Sequence, residues 1–305
     1  MQTLSLSAPE NSFLVFLLSL TPPNIGVDVI FTFTFSVAIA IGIAWVVWGN
    51  TALELNEYEI KSETLPERFD GFRIAHISDL HNTEIGEENS KLLDMLKKAE
   101  PDIIVITGDV MDSYNTKLEV ALQLIDKAVK IAPCYYVTGN HESRLSKEEY
   151  LDFEKQMISY GVNVLHNEEV FLEREGEHIL LAGLDDPTFS LYHKETKYVH
   201  ISGIVEKLYS EEGYRILLSH RPDLFESYVD AEVDLVFSGH AHGGQFRLPL
   251  IGGLIAPNQG FFPKYDAGVF AEDGTNMVVS RGIGNSIIPI RFNNRPEVVL
   301  VELIR

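Results

Sequence analysis

The residues of this chain that could do chemistry gather in five short blocks. They are Asp79-Leu80-His81, Gly108-Asp109 with Asp112 just beyond, Gly139-Asn140-His141-Glu142, Ser219-His220, and Ser238-Gly239-His240-Ala241-His242. Carboxylate, imidazole and amide donors in one set suit a divalent ion such as Mn, Fe or Zn. Two residues apart on extended backbone, His240 and His242 project to one side, as do Asp79 and His81. One Asp-x-His or one His-x-His is commonplace in a surface loop. Five blocks in this order, each directly after an apolar run, are a different matter.

Those runs must position the blocks. Residues 72–78, 103–107, 134–138, 214–219 and 233–237 read as strands, short and bounded by turn material. Helical spacing marks 88–99 and 118–129, and Ser146 with Glu149 forms a capping box for a helix ending near Gly161. Hairpins are expected over 171–184, turning at Glu175-Gly176, and over 269–280, turning at Asp273-Gly274. Residues 53–60 alternate like an edge strand, 200–208 read as helix, and 298–304 close the chain as a strand. Alternation of strand and helix first, with hairpins later, predicts an α/β fold with a mixed sheet or two packed sheets. Ligands at successive strand ends then lie where such folds place their sites.

Bulk composition narrows the function. The 305 residues carry 24 Lys and Arg against 45 Asp and Glu, a formal net charge of −21. That balance argues against nucleic-acid binding, which needs a basic surface. A single cysteine, Cys134, excludes a disulfide framework and any cysteine-rich zinc module. His76, His166, His178, His193 and His200 lie outside the five blocks and read as structural or surface residues.

The N-terminal region has another character. Residues 29–48 are uncharged and apolar all round, close to the ~20 residues that cross a bilayer. Both tryptophans, Trp45 and Trp48, sit at the end of that run, as an interfacial belt requires. An earlier apolar run at 13–20 is too short to span alone. Two segments follow: a membrane region at 1–50, with a single span at about 29–48, and a domain at 51–305. Nothing basic precedes Trp48, while Lys61 and Arg68 follow it, which leans towards a cytoplasmic domain.

Taken together, Asp-x-His, Gly-Asp-x-x-Asp, Gly-Asn-His-Glu, a lone His and Gly-His-x-His resemble the calcineurin-like metallophosphoesterases. The resemblance covers residues from about 71 to 242. Gly243-Gly244-Gln245, Arg281-Gly282-Ile283-Gly284, and Arg291 followed by Arg295-Pro296-Glu297 resemble a membrane-linked bacterial subgroup. It implies a four-layer α/β/β/α sandwich with two divalent ions between the sheet edges. Asp79, His81, Asp109 and His242 would then hold one ion, and Asp109, Asn140, His220 and His240 the other, with Asp109 shared. His141 would be the acid near the leaving group, and Asp112 its carboxylate partner. Two carboxylates and a shared hydroxide give roughly −3 against +4, so such a site stays net positive and draws in phosphate.

The implied reaction is hydrolysis of a phosphodiester or pyrophosphate by the metal-activated hydroxide. Arg144, Arg281 and Arg291 are candidate contacts to phosphate oxygens. A lipid-linked substrate, such as a UDP-diacylglucosamine-like pyrophosphate, competes with a soluble diester, and the span favours the lipid. The apolar stretch 248–255, with Phe261-Phe262-Pro263, reads first as packed core and second as a lip against a bilayer. A membrane-tethered, non-catalytic scaffold on the same fold is the alternative. It would be expected to have lost a ligand or the Gly-Asn-His-Glu histidine, and this chain keeps them all.

Overall fold

Apolar residues at period two build two sheets that bury one face against each other and the other against helices. The computed structural model describes residues 27–193, 201–285 and 289–305. The first sheet is ordered β1 (Glu54–Lys61), β16 (Glu297–Ile304), β2 (Phe72–Ile77), β3 (Ile103–Ile106), β4 (Cys134–Tyr136), β5 (Asn163–Val164). The second is ordered β14 (Gly268–Glu272), β15 (Thr275–Val279), β9 (Leu235–Ser238), β8 (Arg215–Ser219), β7 (Glu177–Leu184), β6 (Glu168–Arg174). Alternation divides β2 between two cores: Phe72 and Ile74 point between the sheets, Ala75 and Ile77 towards helices.

Three cores separate the four layers. One lies between the first sheet and helices α2 (Ser90–Ala99), α3 (Leu118–Ala128) and α4 (Lys147–Tyr160). A second lies between the sheets, and a third joins the second sheet to α6 (Ile201–Leu208) and α7 (Phe225–Asp230). The α4 capping box forms with both hydrogen bonds, and Gly161 ends that helix at φ 100°. Two short helices escape the sequence reading: α7 and α5 (Pro187–His193), each under two turns and too brief to show a period.

Chain order and sheet order part company at one place. β1 is an edge strand whose partner is β16, in parallel register from Glu54 opposite Glu297 to Lys61 opposite Ile304. β16 also pairs antiparallel with β2, so the last strand is wedged between the first two.

The chain divides into two compact units, Met1–Val47 and Trp48–Arg305. The described part of the first belongs to helix α1, Val27–Thr51, which runs on into the second. Within its stretch Val29–Thr51 the most apolar 18 residues have a mean hydropathy of 2.3, and none of those is buried. At 25 residues it is about 37 Å long, enough for the ~30 Å of a bilayer interior. The apolar run at 13–20 and His200 lie outside the described residues.

Candidate metal centre

Strands β2, β3, β4, β8 and β9 all deliver their C-terminal ends to one rim, and the five blocks meet there. The blocks do not continue the strands. Asp79, His81, Asp109, His240 and His242 all have φ between 43° and 65°, in the left-handed region. The expected extended pairs are therefore replaced by tight turns, which point backbone amides inward as well as side chains. His240 N–H donates to the Asp79 carboxylate at 3.0 Å, and His141 N–H to Asp109 Oδ1 at 2.7 Å. Strain of this kind persists only where surrounding contacts fix it. Glycine supplies the clearance: a Cβ on Gly139 would collide with the Asp109 carboxylate, and one on Gly239 with that of Asp79.

Donor atoms converge in two overlapping groups. Around the first, His242 Nε2 lies 3.2 Å from His81 Nε2 and 3.4 Å from Asp79 Oδ1. Around the second, His220 Nε2 lies 3.2 Å from Asn140 Oδ1, 3.1 Å from His240 Nδ1 and 3.2 Å from Asp109 Oδ2. The same Asp109 Oδ2 is 3.7 Å from His81 Nε2, so one oxygen faces both groups.

Protonation tests whether metal fits. Burial brings His81 and His242 down to about 3 and lowers His240 strongly, leaving three neutral lone-pair donors. His220 is equally buried, yet Asp109, aided by Asp79 and Asp186, holds it up at about 10. Asp109, despite burial, is kept well below the ordinary carboxylate range by His220, His141 and His81. Nδ1 of His220 donates to the Thr107 carbonyl at 2.7 Å, so Nε2 faces a carboxylate oxygen, an amide oxygen and an imidazole nitrogen. A positive charge is wanted between those atoms, and a divalent ion meets that need better than one proton. The donor set fits two divalent ions.

Glu142 ties two of the ligand loops together. Its buried carboxylate accepts N–H bonds from Asp109 at 3.0 Å, Val110 at 2.9 Å and Gly139 at 2.7 Å. Burial and the neighbouring Asp109 push its pKa up to about 8, against the pull of His220 and those amides.

His141 stands beside His81, ring centroids 4.5 Å apart and edge to face. Its Nδ1 accepts from the Ser113 amide at 3.1 Å, whereas the Asp112 carboxylate is 3.8 Å away and caps Tyr114 N–H instead. Ser113, through its N–H and Oγ, approaches Nδ1 more closely than Asp112, whose carboxylate stays within ion-pair reach at 3.8 Å.

The three candidate arginines separate. Arg144 lines a cavity of about 240 Å³ over the donors, lying 4.9 Å above the Tyr114 ring. Arg281 instead pairs with Glu297 and Glu54, at 2.7 Å each. Arg291 is fully buried and donates to Asn285 Oδ1 and to the carbonyls of Arg281 and Gly284. Burial lowers its pKa to about 10. These two hold the loop behind the donors and do not reach the cavity.

Sequence reasoning passed over Arg221, Asn258 and Ser113. Arg221 follows a ligand candidate directly, which was the available signal. It is buried, donates to Asp186 through Nε at 2.5 Å and to Thr188 through NH2 at 2.9 Å, and lines the cavity. Asn258, in the connection between β12 (Ile255–Ala256) and β13 (Gly260–Phe261), places Oδ1 3.1 Å from His240 Nε2.

Known proteins resemble this chain over the region that holds the blocks. The calcineurin-like phosphoesterase family model matches residues 72–244. The metallophosphoesterase YkuE of Bacillus subtilis is 31% identical over 256 residues, covering 82% of this chain and 85% of its own. A zebrafish (Danio rerio) transmembrane protein with metallophosphoesterase domain is 31% identical over 259 residues, 81% of this chain and 56% of that longer one. The Escherichia coli phosphodiesterase YaeI is 28% identical over 236 residues, 76% of this chain and 82% of its own. The matched segment spans all five blocks: the chain belongs to the calcineurin-like metallophosphoesterases, metal-dependent hydrolases of phosphoric esters.

Proposed function

We propose that the protein is a membrane-anchored, binuclear phosphoesterase that cleaves a P–O bond in a phosphodiester or pyrophosphate, the preferred substrate being lipid-linked. One observation carries the two-ion reading: Asp109 Oδ2 faces both His81 and His220, at 3.7 and 3.2 Å. Asp79, His81, Asp109 and His242 are assigned to one ion, and Asp109, Asn140, His220 and His240 to the other. The bound pair would supply Lewis acidity at the phosphoryl group and activate a water for in-line attack.

The protein's own part is to receive the substrate and manage the leaving group. His141, carrying its proton on Nε2, donates to the leaving oxygen. Once His240 gives Nδ1 to a ligand role, its proton sits on Nε2 and is accepted by Asn258 Oδ1. Arg221 NH1, also 3.1 Å from that Nε2, then meets a donor rather than an acceptor. Its acceptor is a non-bridging phosphate oxygen, with Arg144 reaching from the opposite wall. Asp112, Arg281 and Arg291 position loops around the site.

The anchor rests on α1 and on the zebrafish relative, whose name includes both a membrane segment and this domain. Lys61 and Arg68 beyond the span favour a cytoplasmic domain. The full chain, loaded in turn with Mn, Fe and Zn, should hydrolyse bis-p-nitrophenyl phosphate. His141→Ala should slow hydrolysis without metal loss, an outcome that a scaffold reading does not allow.

A further inference from the structure

Two small hairpins beside the site carry apolar side chains into solvent. β10 (Arg247–Leu248) pairs with β11 (Gly252–Gly253), and its tip exposes Leu250 completely and Ile251 at 62%. β12 pairs with β13, where Phe261 and the adjoining Phe262 are 71% and 61% exposed. The sequence reading of 248–255 as packed core fails at its tip alone: Leu250 and Ile251 are exposed, whereas Leu248, Leu254 and Ile255 are half-buried and Gly253 is buried.

This apolar cluster is continuous with the end of the proposed span. Asn50 Oδ1 accepts from Arg291 N–H at 3.0 Å, and Asn50 Nδ2 donates to the Arg291 carbonyl at 3.3 Å. Arg295 stacks over Trp48 at 4.8 Å. Ile290 and Phe292, on either side of Arg291, are each 42% exposed. Phe292 bridges to Phe246, and its carbonyl accepts from Arg247 N–H at 3.0 Å, where the first hairpin begins. Contacts of Arg291, Phe292 and Arg295 therefore link Trp48 and Asn50 to the base of the first hairpin.

Charge follows the same line. From Gln245 to Tyr265 the chain has Arg247 and Lys264 and no Asp or Glu, and Pro289 to Pro296 has two arginines and no acid. In a chain with 45 acidic residues, these segments hold no acid of their own to repel anionic headgroups, although Arg247 is paired with Asp266 at 2.9 Å, Arg295 with Glu54 at 2.6 Å, and Arg291 is buried. Their apolar tips suit the boundary between headgroups and acyl chains. The β12–β13 connection also reaches the site, because Pro257 and Asn258 line the cavity three residues before Phe261.

We infer that this face seats in the membrane, with Leu250, Ile251, Phe261 and Phe262 below the headgroups, so that the cavity opens at the lipid surface. The substrate is then the phosphate of a lipid headgroup, drawn from the leaflet that the face occupies. The inference rests on the reading of α1 as a span.

The test labels single cysteines with an environment-sensitive nitrobenzoxadiazole dye in the full chain, whose native Cys134 is buried. Labels go at Leu250→Cys and Phe261→Cys, at Leu151→Cys on an outer helix as reference, and at Ile39→Cys within the span. The protein is reconstituted in phosphatidylethanolamine–phosphatidylglycerol vesicles with brominated acyl chains. Blue-shifted, bromine-quenched emission at 250 and 261, with 151 unaffected, is expected. Quenching at 39 alone overturns this inference and leaves the anchor standing. No quenching at 39 overturns the anchor itself. A blue shift at 250 and 261 without bromine quenching, which fades as protein is diluted in lipid, identifies a second copy as the occupant and also overturns the inference. Each labelled variant must retain bis-p-nitrophenyl phosphate hydrolysis in detergent, which shows that it is folded.

Discussion

Arg221 NH1 stands 3.1 Å from Nε2 of His240, two donors facing one another once His240 binds through Nδ1. The pair needs an anionic acceptor. Removing one charge-assisted hydrogen bond costs about 1.5–3 kcal/mol, so Arg221→Ala should lower kcat/KM by about 10- to 100-fold. Steady-state kinetics with metal analysis checks this. An unchanged kcat/KM in a metal-replete variant would remove Arg221 from the site.

His141→Ala should lower kcat by about 10²- to 10⁴-fold, the usual range for a lost proton donor. The effect should shrink for p-nitrophenolate and grow for alkoxide leaving groups. Asp112→Ala should be mild by comparison, because Ser113 already fixes the ring. Leaving-group dependence for the two variants, measured side by side, separates these roles.

His220→Ala and His242→Ala should each lose one ion preferentially, and Asp109→Ala both, as read by elemental analysis of purified protein. Chelation should lower the Tm of the native chain, since Asp79 is buried and Asp109 is left with the His220 imidazolium in place of two divalent ions. A Tm indifferent to chelation would count against the centre.

Away from the site, His166 offers a pH test. Burial opposes its charge, but Asp185 at 2.8 Å and Glu154 at 3.4 Å more than offset this and raise its pKa to about 9. A raised pKa stabilises the fold fully below the unfolded value of about 6.5, and that gain is lost as pH rises through 9. Native protein should lose on the order of 2 kcal/mol between pH 6 and 10 from this group. In denaturant titrations, His166→Gln should flatten that part of the stability profile.

Arg291→Leu tests the reassignment of a residue first taken as a substrate contact. Its carbonyl and amide partners lose their donor, at a cost of about 3 kcal/mol. Tm should fall while KM of the folded fraction stays unchanged.

The cluster was legible in sequence because residue types able to bind metal stand within a few residues of successive strand ends, and type plus position marks them. Asp79, His81, Asp109, Asn140, His220, His240 and His242 all reach one rim. Their approach was not legible: extended pairs were expected, and left-handed turns occur, set by carboxylate-to-amide bonds between distant loops. Arg281 and Arg291 show the limit for long cations, whose type gives no direction. The stretch 248–255 shows another, since hydrophobicity is the same whether protein or lipid is to cover the side chain.

The pairing of β1 with β16 also sets a clock. β1 follows the proposed span directly, yet its neighbour in the sheet, β16, begins only at Glu297. At 5–20 residues per second, roughly 10 to 50 s of synthesis separate the two. Throughout that interval the strand nearest the membrane has an open edge, and β2 lacks the neighbour that will divide it from β1. The first sheet can close only once β16 has been made, so deletion of 297–304 should leave β1 and β2 unjoined behind the proposed span.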